Sequence, residues 1–212
     1  MTLTAARQVA DTVLYEGYLL YPYRASSSKN QVRWQFGILG PTGAAAGGVG
    51  EEPALAAEVL LEAHSPATLD LHLRFLQVQA RVVERRTDAG WAAVDELRVG
   101  GTRWIPYHEA VSREILLRGL PLVEQQVRDV DVPAGEELEQ LYDGDRLVGR
   151  LVRTRWALAG TVTVTPRPGR DPRLLVVGVR VDNRTGWSSG SCRAGPTATS
   201  PPATPSSART CC

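Results

Sequence analysis

Apolar and polar positions alternate with a period of two over much of the first 185 residues, most plainly over 31–39. There Val32, Trp34, Phe36 and Ile38 take one parity and Gln31, Arg33, Gln35 and Gly37 the other, the pattern of a half-buried strand. The preceding run, Val13 to Tyr21, is β-branched and aromatic and stops at Pro22, which has no N–H for a central ladder. It is expected as a second strand, joined to the first by a polar connection over 22–30. Leu55, Ala57, Val59 and Leu61 predict another strand, with a helix as the alternative because the segment is Ala-rich, and the Gly-, Ala- and Pro-containing stretch 40–53 predicts a surface loop. Within 68–86 the apolar parity changes, with Leu69, Leu71, Leu73 and Phe75 at odd positions and Leu76, Val78, Ala80 and Val82 at even ones. One inserted residue does this, so a β-bulge or bend is expected near Phe75–Leu76.

Further along, Gly100-Gly101 between Leu97/Val99 and Trp104/Ile105 predicts a hairpin. Tyr107, Val111 and Ile115 fall four apart and predict a short helix over 107–117. Residues 120–134 read as a connector ending at Pro133, and Asp143-Gly144 as a turn before a strand from Leu147. Trp156, Leu158, Val162 and Val164 are expected on one strand face, and the apolar run Leu174 to Val181 as a central strand covered on both sides. The pattern predicts a mainly β fold: an antiparallel β-sandwich or two small β subdomains, with at most one or two short helices. The expected organisation is a β domain over 1–119, the connector 120–134, a second β portion over 135–187, either separate or part of the same sandwich, and a tail over 188–212.

The tail is set apart by composition. From Ser188 to Cys212 no aliphatic residue larger than alanine occurs, so the segment is expected to stay disordered. Its mixture is also what GC-rich DNA yields out of frame, and a frameshifted, truncated longer protein is expected on a par with an ordinary tail. All three cysteines, Cys192, Cys211 and Cys212, lie there, which leaves the expected folded part without a disulfide or a thiolate metal site. With 24 basic and 23 acidic residues, the chain lacks the footprint of a nucleic-acid binder. The amino terminus does not read as a signal peptide, and no apolar run approaches the ~20 residues of a membrane helix. A cytoplasmic location is expected, with neither nucleic acid nor a membrane span among its partners.

Catalytic chemistry finds little support in the residues. His64, His72 and His108 are scattered, and His108-Glu109-Ala-Val-Ser112 lacks the second histidine of a zincin. The glycines of 40–50 are not followed by the Lys-Ser/Thr of a phosphate loop, and no Gly-x-Ser-x-Gly elbow occurs. Acidic clusters such as 129–131, 136–139 and 143–145 read as solvated faces and turns. The expectation is no catalytic residue, no metal and no cofactor. One stretch has the composition of a recognition surface: Tyr21, Tyr23, Arg24, Lys29, Asn30 and Arg33 gather rings, cations and an amide on one inter-strand connection.

Val13-Leu-Tyr-Glu-Gly-Tyr-Leu-Leu-Tyr-Pro-Tyr-Arg24, Lys29-Asn-Gln-Val-Arg-Trp-Gln-Phe36, Arg74-Phe-Leu-Gln-Val-Gln79 and Val179-Arg-Val-Asp-Asn-Arg-Thr185 give the chain a family resemblance. Over roughly 10–187 it resembles an uncharacterised actinobacterial protein family encoded in uptake nickel-iron (NiFe) hydrogenase gene clusters, whose members continue past the Asn-Arg-Thr region. The resemblance carries no catalytic residue. It implies a non-enzymatic accessory protein that supports assembly or maturation of a hydrogenase by binding a hydrogenase subunit or maturation factor. The alternative is a small-ligand (anion) binding protein or enzyme whose site needs a missing C-terminal region, with Arg24, Lys29 and Arg33 holding the anion.

Overall fold

The computed structural model of the chain describes residues 3–19, 38–46, 52–62 and 66–186. Among them are one helix, α1 (Leu3–Leu19), and the strands β1 (Ala54–Glu62), β2 (Thr68–Thr87), β3 (Gly90–Val94), β4 (Leu97–Val99), β5 (Thr102–Trp104), β6 (Tyr107–Pro121), β7 (Gln126–Val132), β8 (Gly135–Asp143), β9 (Arg146–Arg155), β10 (Leu158–Pro168) and β11 (Leu174–Asn183). The fold is mainly β and its ladders are antiparallel, as the period of two predicts. One sheet runs β1-β11-β10-β7, a second runs β3-β2-β9-β8 with β6 paired to β2, and β4-β5 form a small third sheet.

β2 is the spine. Over its first two thirds it pairs with β6, from Thr68↔Pro121 to Arg81↔Tyr107, and near its end it is flanked by β3 and β9. One strand thus serves two apolar cores. The first lies between the β1-β11-β10-β7 sheet and the start of β2 with the end of β6: Val162, Val164 and Val177 are fully buried there with Leu120, and Leu69, Leu71, Leu73, Ile115 and Leu117 pack against them. In the second, the β4-β5 hairpin covers the far end of the second sheet, burying Val83, Leu97, Val99, Leu141 and Leu151. Two sandwich-like lobes share one long strand.

The expected hairpin turns at Gly100-Gly101, both with positive φ (54° and 82°), the requirement of a type I′ turn. Asp143-Gly144 also turns where expected, between β8 and β9, with Gly144 at φ 60°. The expected strand over 55–61 is β1.

Several expectations are corrected. The helix expected over 107–117 is strand β6. A spacing of four fits one helix face, but it is also a multiple of two, so Tyr107, Val111 and Ile115 equally share a strand face, and pairing with β2 decides it. The described part of the expected strand Val13 to Tyr21 is helical: α1 continues from the helix-favouring Ala5-Ala-Arg-Gln8 and reaches Leu19. The bulge expected at Phe75–Leu76 is absent there, since the β2-β6 register runs unbroken from Leu71 to Arg81 and shifts only between Leu69 and Leu71. The 120–134 connector contains β7. β11 is central in its sheet, but its outer face carries Gly178 and an exposed Arg180 rather than a second apolar cover. Trp156 falls outside β9 and β10 and is mostly exposed. The loop expected at 40–53 is tied down where it is described: Thr42 N–H bonds the Thr185 carbonyl, Gly40 N–H bonds the Glu52 carbonyl, and Ala44 is buried.

Candidate functional site

The apolar phase of β2 changes because its buried face changes chemistry, while the backbone stays regular. Odd residues from Leu71 to Val83 all lie on one face, and after Leu71, Leu73 and Phe75 that face continues as Gln77, Gln79 and Arg81 before returning to Val83. Gln77, Gln79 and Arg81 are all buried. They sit between the two cores, where β6 contributes Glu109 and Arg113, β9 contributes Arg153 and Arg155, and β8 contributes Glu137 and Glu139 on the same side. The result is a polar band across the inner face of the second sheet.

Its hydrogen bonds converge on Glu109. The carboxylate accepts from Gln79 Nε2 at 2.6 Å, Arg81 Nη1 at 3.1 Å and Arg153 Nε at 3.0 Å. Arg81, with a side chain only 9% exposed, donates further to Tyr107 Oη and the Ile105 carbonyl, and its guanidinium lies 3.6 Å from the Tyr107 ring centroid, a stacked cation–π contact. Burial works against the charge of Arg153, but Glu139 and Glu109 outweigh it and hold its pKa above the ordinary value. At the other end of the band Gln77 donates to the Trp156 carbonyl at 2.8 Å and accepts from Arg113 Nε at 2.8 Å, while Gln79 accepts from Arg155. The Nε atoms of Arg81 and Arg155 are buried without a partner.

On the opposite face of β2 and β6, α1 is held by charges. Arg7 pairs with Glu114, Asp11 with Arg74, and His72 Nδ1 meets Glu114 at 2.7 Å. The His72 bond first, and Arg7 second, hold the Glu114 carboxyl below the usual glutamate range.

The third feature is the edge of the first sheet. The Pro53 carbonyl accepts from Asn183 N–H on the β11 side, so in an antiparallel ladder the odd residues of β1 direct their backbone groups to β11 and the even ones direct theirs outward. Among the described residues, nothing pairs with that outward edge along β1. Leu55 and Val59 on one face are 49% and 48% exposed, and Leu60 on the other is 61% exposed. Depressions of about 220 Å³ over Gly178 and about 420 Å³ beside Gly43 and Pro53 are open to solvent.

The recognition residues expected from the sequence, Tyr21, Tyr23, Arg24, Lys29, Asn30 and Arg33, lie outside the described residues, as do Trp34 and the tail 188–212. Sequence reasoning missed the polar band. The signal available was a polar interruption, Gln77-x-Gln79-x-Arg81, inside one parity that is apolar on both sides. Among the described residues no helix is long and apolar enough to cross a membrane, and no group of three or more His, Cys, Asp or Glu side chains is placed to hold a metal ion. No family model, curated protein or solved structure matches the chain.

Proposed function

We propose that this chain is a non-enzymatic, cytoplasmic accessory protein that binds a protein partner through the open edge of β1, in support of the assembly or maturation of a NiFe hydrogenase. One observation carries the binding reading. Among the described residues nothing pairs with the outward edge of β1, Leu55, Val59 and Leu60 on its two faces are 49%, 48% and 61% exposed, and neither lysine nor proline, two of the devices that blunt a free edge, occurs in Ala54–Glu62, whose charges are Glu58, paired with Arg167, and Glu62. Such an edge accepts an added strand, with main-chain hydrogen bonds giving affinity and the flanking apolar side chains giving selectivity. The hydrogenase process is supported by the resemblance of residues 10–187 to the actinobacterial family, and its partner is a hydrogenase subunit or maturation factor.

The test is capture from the native host. The tagged full chain should co-purify with a hydrogenase subunit or maturation factor, and Val59→Lys with Leu60→Lys, which places charge on both faces of the edge, should reduce capture at least tenfold with the fold intact. Equal capture by the folded variant would remove β1 from the reading. Arg24, Lys29 and Arg33 are tested in the same assay by replacing all three with Ala; if the 21–34 surface contributes, capture falls there too.

A further inference from the structure

The polar band is not neutral. Arg81, Arg113, Arg153 and Arg155 face Glu109, Glu137 and Glu139, four cations against three anions, and the pairing is uneven. Glu109 and Glu139 serve Arg81 and Arg153 within hydrogen-bond distance. Arg113 has no carboxylate within ion-pair distance among the described residues and spends only its Nε, on Gln77. Arg155 donates to Gln79, and its nearest carboxylate, Glu137, stays 3.8 Å away with a side chain 59% exposed, beyond hydrogen-bond length.

The two under-neutralised guanidiniums are positioned by neighbours of one strand face. Gln77 and Gln79, 3% and 4% exposed, hold Arg113 and Arg155 respectively. A buried amide fixes each fork before any ligand arrives, which removes ordering cost from binding. Gln77 also fixes the Trp156 carbonyl, so this residue, 55% exposed, stands at the same place. Arginine and tryptophan are the side chains that most often anchor protein interfaces, and arginine takes a carboxylate with two parallel N–H donors.

We infer that this end of the band receives a carboxylate from an acidic peptide segment of a protein partner, seated between Arg113 and Arg155 beside Trp156. The inference rests on the reading of the chain as a protein-binding module and adds the chemistry of what is bound. Glu137 is the internal competitor for Arg155.

The experiment titrates the full chain with a Glu/Asp-rich peptide, the matching Gln/Asn peptide and inorganic phosphate, by calorimetry at low and moderate salt. The acidic peptide should bind, weaken with salt, weaken at least tenfold in Arg113→Gln/Arg155→Gln and strengthen in Glu137→Gln, which a purely structural role would not produce. Should the double variant fail to fold, Arg113→Gln alone, together with shifts of the Gln77 and Gln79 side-chain amide resonances on peptide addition, gives the same answer. Equal binding of the Gln/Asn peptide, undiminished binding by the folded variant, or phosphate competing as well as peptide would overturn it. The two readings fail separately: capture of the host partner that survives Arg113→Gln/Arg155→Gln but not Val59→Lys/Leu60→Lys sinks the carboxylate site alone, whereas capture that survives both sinks the β1 reading as well.

Discussion

Glu109 shows how one residue holds a layer together. Its carboxylate accepts from Gln79 and Arg81, which are buried, and from Arg153, whose side chain is 15% exposed. Removing it leaves the Arg81 guanidinium, 9% exposed, without a carboxylate while Arg153 keeps Glu139, and stranding a buried charge this way costs about 3–5 kcal/mol. Glu109→Ala should therefore lower the unfolding free energy by about that amount in urea titrations; a loss under ~1 kcal/mol would mean that the band is solvated. Glu114 gives the pH counterpart. Its folded pKa is depressed by His72 and then Arg7, so the stability it lends to α1 docking is present above the unfolded glutamate value, ~4.3, and is lost as pH falls through the lower folded value. The protection factors of the α1 amides, taken against the intrinsic exchange rate at each pH, should fall below pH ~4.3, and protection that rises or stays flat on acidification would contradict the clamp. Neither residue was legible as structural in the sequence. Glu109 figures there only within His108-Glu109-Ala-Val-Ser112, short of a zincin, because spacing gives the parity of a side chain and not what lies across the sheet from it.

At the scale of elements, turns were more legible than the segments they join. Gly100-Gly101 and Asp143-Gly144 announce themselves because only a few residue types accept positive φ, whereas Tyr107, Val111 and Ile115 satisfy helix and strand periods alike. α1 was missed for a related reason: β-branched and aromatic content in 13–19 favours a strand locally, and the preceding Ala-rich turn and the contacts of Arg7 and Asp11 with the sheet prevail. Elements also meet where no pattern could show it. Gly149 on β9 lies under the β4-β5 hairpin, and a Cβ there would come within 2.2 Å of Leu97 Cδ2 and 2.9 Å of the Glu84 carbonyl. Gly149→Ala should cost about 1–3 kcal/mol as overpacking, read as a drop in melting temperature; an unchanged value would mean that the hairpin sits farther off.

For the whole molecule, the mainly β class was legible, and the arrangement of the two cores was not. The first core draws on β1, the start of β2, the end of β6, and β7, β10 and β11, while the second draws on the end of β2, β4 and β5, β8 and β9. They interleave along the chain, so a boundary at 120–134 does not divide them, and no linear composition shift could. With the polar band between them, cavities in the two cores should act independently. Leu151→Ala is expected to cost about 2–5 kcal/mol, and combined with Val162→Ala the losses should add within ~0.5 kcal/mol; strong non-additivity would mean a single continuous core. The same separation leaves the β1 edge far from the band in the fold's pairing order, at the outer side of the first sheet. The proposed partner adds its strand at this edge. Hydrogen–deuterium exchange of the full chain, free and bound to whatever protein it captures from its host, reads this out amide by amide. Exchange should slow at the even-numbered amides of β1, Ala56, Glu58 and Leu60, whose N–H groups point outward. Protection confined to β7 or β8, or no protection at β1 in a formed complex, would contradict it.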